Sequence, residues 1–272
     1  MGAPAGLVDI LRCKYTPRAA AMSAARALHN LSIHGGPRSA VVAAGGAAAL
    51  TARLRARGGE SAEDDEVLVV ALGCLASGGA SRAHREAVVN ASGFEVLCAA
   101  LTRHSHRSES VLVHGTQALN GIVQLVPCEK AVAVGAVDAL AHALTSPLLD
   151  DGSSTAVYLC AAVRTIAEAP SETRDPSSGA YLAARDALAD KRCLAGLVGV
   201  LRRATRGTDS HKGAKEALAA VAKGSPERHA AIVEAGGGAA LDAESAPPKP
   251  PREAAAPPRR KAADVDRERS GE

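Results

Sequence analysis

The sequence contains no Trp, a single Phe (Phe94) and only three Tyr (Tyr15, Tyr158 and Tyr181). A sandwich or barrel draws its core largely from β-branched and aromatic side chains, so this scarcity argues against an all-β fold. Yet 47% of the residues are apolar, which is enough for a substantial core. Alanine dominates that fraction. It is the best helix former and loses no side-chain entropy on folding. An all-α architecture is the first expectation.

Other absences narrow the function. The six cysteines, Cys13, Cys74, Cys98, Cys128, Cys160 and Cys193, form no C-x-x-C pair, so neither a zinc ribbon nor a disulfide framework is expected. Most fall on apolar helix faces, where a free thiol behaves as a small hydrophobe. Reduced thiols fit a cytoplasmic or nuclear setting. No apolar run approaches the ~20 residues of a membrane span. The net charge of +3 is too small to point to nucleic acid. No phosphate-binding loop, dinucleotide fingerprint, nucleophile elbow or H-E-x-x-H motif occurs, so neither an enzyme nor a resident cofactor is expected.

What is present is a repeat. The segments 24–31, 68–75, 115–122, 159–166 and 214–221 each carry small or apolar residues at i, i+3, i+4 and i+7, one face of a helix. The i+3 position is Ala each time: Ala27, Ala71, Ala118, Ala162 and Ala217. Their spacing lies near the ~40–47-residue period of helical solenoids, with a longer last interval that needs a loop insertion. A second element recurs between them, a Gly or small residue followed five positions later by Leu. It appears as Gly2 and Leu7, Gly45 and Leu50, Ser92 and Leu97, Gly135 and Leu140, and Gly236 and Leu241. Gly ends a helix readily because it accepts positive φ. The unit is therefore short helix, turn, medium helix, loop, long helix.

This unit resembles the armadillo repeat, most clearly in AAIVEAGGGAAL (230–241) and AARALHNL (24–31). The resemblance implies an all-α, right-handed α-solenoid of armadillo-like three-helix repeats over residues 1–243. The expected units are 2–32 (second and third helices), 38–77, 81–126, 129–169, 180–223 and a shortened 227–241. The fourth full unit turns near Ala189 and Asp190 without Gly. The chain opens at the turn of its first repeat, which suggests either an incomplete gene model or a piece of a longer array. Residues 244–272 are rich in Pro and charge and poor in large apolar groups, so a disordered tail is expected there. The loops 56–66, 104–110, 145–154 and 170–179 should protrude.

The resemblance also implies a function, a scaffold that binds a peptide or helix of a protein partner along a concave face lined by the third helices. The family's groove Asn maps to Asn30, Cys74, Gly121, Thr165 and Ala220, and the Trp position of importin-α-like members maps to Arg26, Val70, Gln117, Ala161 and Glu216. With one Asn and no Trp, nuclear-localisation signals are not expected as ligands. The expected partner-contact residues are Arg26, His29, Asn30, Gln117, Asn120, Arg164 and Thr165. The alternative is a regulatory or chaperone-cofactor adaptor capping a folded partner. The sequence leaves oligomeric state open.

Four features remain. His104 and His106, with His114 nearby, read as solvent-exposed loop residues rather than metal ligands. Asp64, Asp65 and Glu66 read as acids complementing the N-terminus of a helix starting near residue 67. The Gly pairs read as turns and caps. Arg202 and Arg203 suit a helix C-terminus, and with Ala204 and Thr205 they spell R-R-x-T, a pattern used by basophilic kinases and common by chance.

Overall fold

The computed structural model describes residues 2–57, 61–77, 79–168, 179–238 and 241. Among them there are helices and no strand. The first unit consists of α1 (Ala3–Arg12) and α2 (Arg18–Ser32). Three-helix units follow: α3 (Gly35–Ala43), α4 (Gly46–Arg57) and α5 (Ala62–Ala76), then α6 (Arg82–Asn90), α7 (Gly93–His104) and α8 (Glu109–Val123). Next come α9 (Cys128–Ala133), α10 (Ala136–Leu144) and α11 (Ser154–Glu168), then α12 (Gly179–Leu188), α13 (Lys191–Arg203) and α14 (Asp209–Ala222), and finally α15 (Pro226–Glu234). Four first helices begin one to three residues ahead of the units expected from the sequence, α3 at Gly35, α9 at Cys128, α12 at Gly179 and α15 at Pro226. The expected domain limit at 243 and the tail beyond it lie outside the described residues, as does most of the loop 170–179.

Packing is between like helices of successive units. The third helices stack in the order α2, α5, α8, α11, α14, and the second helices in the order α1, α4, α7, α10, α13. The result is an α-solenoid, since each unit buries its apolar faces chiefly on its neighbours. The recurrent alanines sit in this seam. Ala71, Ala118, Ala162 and Ala217 are fully buried, and only Ala27, in the first unit, is half-buried. Replacing Ala118 with Leu should overpack the seam and cost about 1–3 kcal/mol. An unchanged thermal midpoint would show that the seam has room there.

The turns between first and second helices need a left-handed residue. Gly45, Gly135 and Gly236 supply it with φ of 82°, 79° and 88°. Ser92 occupies the same conformation at φ 55° without the freedom of Gly. The unit without Gly turns differently, with Asp190 at φ −54° capping α13 through the Arg192 N–H.

The acidic run is not a prelude to α5 but part of it, with Asp64 and Asp65 in its first turn, because the helix capped by Ser61 begins at Ala62, five residues earlier than expected. Asp64 and Glu66 also tie neighbouring units together. Asp64 accepts a two-pronged bond from Arg18 (2.7 and 3.0 Å), and Glu66 accepts from the Ser108 hydroxyl (2.8 Å).

A device that the sequence does not announce closes three of the third helices, α2, α11 and α14. An arginine from the first helix of the next unit reaches back to their last carbonyls, groups a helix cannot satisfy internally. Arg38 Nε donates to the Ser32 carbonyl (2.6 Å). Arg185 donates to Ala167 (2.9 Å) and also to Lys223 (3.0 Å). Arg228 donates to Val221 and Lys223 (both 2.9 Å) and pairs with Asp186 (2.6 Å). All three arginines are buried. Each is a full positive charge at the negative end of a helix dipole.

Candidate functional site

The stacked third helices leave one side of each helix outside the seam, and the expected contact residues lie there. Arg26 and Asn30 are exposed on α2, while Gln117 and Asn120 on α8 and Arg164 and Thr165 on α11 are half-buried. His29 on α2 is not a free polar group. Its Nδ1 lies 3.2 Å from Cys74 Sγ on α5, and its ring meets His114 of α8 edge-on with centroids 6.1 Å apart. Three successive third helices thus share a neutral cluster at this face.

Burial lowers the pKa of both imidazoles. For His29 the Val70 carbonyl works against the shift; for His114 the His29 ring adds to it and Glu66 opposes it. Burial raises that of Cys74, partly offset by the Arg38 charge. The unfolded chain therefore takes up protons more readily at these histidines than the folded one. Their contribution is fully present above the ordinary imidazole pKa of about 6.5 and is lost as pH falls from there through the lowered folded-state value. The thermal midpoint should drop between about pH 7 and pH 5. A His114→Asn variant should drop less over the same range, and an identical pH slope would remove the cluster from the account.

Arg164 is also engaged. It pairs with Glu216 of α14 and lies 3.8 Å from Glu168, and Glu216 lies 3.9 Å from Lys212. A cleft of about 530 Å³ opens beside this network, lined by Arg164, Glu168, Glu216 and Lys223 with His229 and Leu241. Charge here is balanced.

The position carrying the family's groove Asn faces the face only in part. Asn30 is exposed and Thr165 half-buried, but Cys74, Gly121 and Ala220 are buried. Gly121 is packed so tightly that a Cβ there would collide with the Ala76 carbonyl oxygen of α5. Gly73 faces the His114 carbonyl, where a Cβ would lie at 2.9 Å. These glycines inside helices are close-approach positions, not turns or caps. The shift of role has a simple cause: without a side chain at Gly121, α5 and α8 draw together and the position sinks into the seam.

Asn120, one residue earlier, stays at the surface. Its Oδ1 is buried and has no hydrogen-bond partner within the protein, and the same holds for His114 Nδ1. Burying an acceptor without a donor is costly, so such an atom marks a place where a donor can be received.

The three histidines near residue 104 do not converge. His104 ends α7 and is buried, with Nε2 2.8 Å from Asp65 Oδ2 and Arg103 beside the same carboxylate at 3.5 Å. It is therefore not the exposed loop residue expected from the sequence. Helix α7 simply continues to it, which turns the ring inward. His106 is exposed and bonds the His142 carbonyl (2.8 Å). Among the described residues no group of three or more His, Cys, Asp or Glu is arranged to hold a metal ion. Five cysteines are buried and only Cys13 is exposed, with none in a disulfide. Among the described residues no helix is long and apolar enough to cross a membrane.

The stacked units and the lateral face of their third helices define a helical-repeat solenoid. More specifically, the chain has the armadillo-like repeat fold. An engineered protein solved by crystallography is 29% identical with a TM-score of 0.64, and the match covers 89% of each chain. A designed armadillo repeat protein in complex with the peptide (KR)4 is 22% identical at a TM-score of 0.62, covering 89% of this chain and 91% of that one. A second designed armadillo repeat protein is 22% identical at 0.63, covering 90% and 93%. No family model matches the sequence, and no curated protein matches it.

Proposed function

We propose that this protein is a non-enzymatic binding scaffold that receives a peptide or helix of a protein partner on the face formed by α2, α5, α8, α11 and α14. The observation that carries this reading is the unsatisfied Asn120 Oδ1 on α8, the third helix that also contributes His114 to the cluster with His29 and Cys74. Once the Asn120 side chain turns outward, its amide oxygen can take a backbone N–H of an extended peptide, a donor that every non-proline residue offers. A fold likeness supports a peptide as the ligand: a designed armadillo repeat protein has been captured with the peptide (KR)4. In this chain the central residues are uncharged and Arg164 is already paired with acids, so a run of lysines and arginines is not the ligand favoured here. Arg26, Asn30, Gln117 and Thr165 complete the proposed contact set.

The test is a peptide-display selection on the full chain, followed by affinity measurement on an Asn120→Ala/Arg164→Ala double variant. Folding should change little, because exposed ion pairs contribute about 0–1 kcal/mol. Affinity should fall at least about tenfold, since a few residues commonly dominate an interface. Full affinity in the double variant, with loss on altering loop 104–110, would move the function to the loop edge.

A further inference from the structure

The R-R-x-T sequence at 202–205 lies in a setting that gives it a role separate from the third-helix face. Arg202 and Arg203 occupy the last turn of α13 and Thr205 the loop that leads to α14, and all three are exposed. The Thr205 carbonyl accepts from both the backbone N–H (3.1 Å) and the hydroxyl (2.7 Å) of Thr208, the residue that caps α14. Its side chain takes no part in either bond. Arg203 spans to the preceding unit, forking onto Asp151 in the loop before α11, with Nη2 3.0 Å from Oδ1. This bond and its parallel partner from Nε raise the Arg203 pKa and join two units at one edge of the solenoid.

We propose that Thr205 is a phosphorylation site for an arginine-directed kinase, and that the phosphate draws Arg203 away from Asp151 to loosen the edge between these two units. In the step itself the Thr205 hydroxyl oxygen attacks the γ-phosphorus of Mg·ATP. An O–P bond forms, the β–γ bridging bond breaks, ADP leaves and the hydroxyl proton is released. The product carries nearly two negative charges and three acceptor oxygens within two residues of Arg203 and one of Arg206. A carboxylate offers one charge and two oxygens. The phosphate, tethered to the same loop, is the stronger claimant for the guanidinium.

The geometry also sets a condition. A kinase that reads Arg202 and Arg203 must find them in an extended segment, so the last turn of α13 has to open and Arg203 has to leave Asp151. Helix ends fray at low cost, which allows this in the folded chain. Asp151 should therefore restrain the reaction as well as respond to it.

The experiment treats the full chain with the catalytic subunit of cAMP-dependent protein kinase and Mg·ATP, then maps the phosphate by tandem mass spectrometry. One phosphate at Thr205 is expected, absent in Thr205→Ala and at least about tenfold slower in Arg202→Ala, while Asp151→Asn should be modified several-fold faster than the parent. Phosphorylation should also speed hydrogen exchange across residues 148–154. The chain has a second arginine-directed sequence, R-E-R-S ending at Ser270, and phosphate found there with Thr205 unmodified would overturn the proposal. Modification of Thr205 only after denaturation would overturn it too. A Thr205 phosphate that leaves exchange at 148–154 unchanged would overturn the coupling to Asp151.

Discussion

Replacing Gly121 with Ala should destabilise the protein by about 2–3 kcal/mol, although Ala is the better helix former by about 1 kcal/mol. The reason is contact, not propensity. Gly121 lies in the last turn of α8 against the end of α5, and the added methyl would collide with the Ala76 backbone oxygen. A backbone oxygen cannot swing aside as a side-chain tip can, so the two helices must part. Parting them also strains the neighbouring contact, where Gly73 of α5 faces the His114 carbonyl. Gly6 provides the matched control. It too lies inside a helix, α1, but a Cβ there would meet nothing within 4 Å. Gly6→Ala should therefore stabilise by up to about 1 kcal/mol. Denaturant unfolding of the two variants gives opposite signs if the close approach of α5 and α8 is real. Two changes of the same sign would refute it.

The second large effect is expected at Arg185. Its guanidinium is almost fully buried and serves two third helices at once, through the carbonyls of Ala167 and Lys223. Arg185→Met keeps much of the apolar stem and removes the donors. Lys223 keeps its bond from Arg228, so the main loss falls on Ala167. An orphaned buried carbonyl costs about 1–3 kcal/mol, and bonds from a charged donor stand near the top of that range, so a loss of roughly 2–3 kcal/mol follows. Arg185→Lys should recover less than half of it, because one ammonium on a flexible stem cannot reproduce a rigid fork. Local hydrogen exchange at the C-terminal turn of α11 should rise in both variants. A lysine variant as stable as the parent would show that charge at the helix end, not the two-pronged bond, is what matters.

How much of this was legible in the chain differs by element. The recurrent alanines and the turn residues carry strong local signals. A single small residue at a fixed place on a helix face, or a residue entering the left-handed region, is a demand of the local backbone that shows in residue type. Ser92 could be found the same way, by register with Gly45 and Gly135 rather than by its own chemistry. The arginine closures left a weaker trace, Arg38, Arg185 and Arg228 on short first helices that carry other polar residues as well. On sequence alone such a residue reads as a surface charge.

The candidate site was legible as a set of positions and not as a set of states. Arg26 and Asn30 are exposed and Gln117, Asn120 and Thr165 half-buried because helical periodicity places them off the Ala and Leu stripe. Whether each is available is decided by residues far away in the chain. Arg164 is claimed by Glu216, His29 by Cys74 and His114, and His104 by Asp65. The sequence by itself determined the helical class, the repeat and its register, since these follow from propensity and from the period of apolar side chains. Only the tertiary structure decided which glycines are contacts, which arginines close helices and which polar groups on the third-helix face remain unsatisfied. Those outcomes depend on the spacing between units, and that spacing is set by the side chains of both neighbours together.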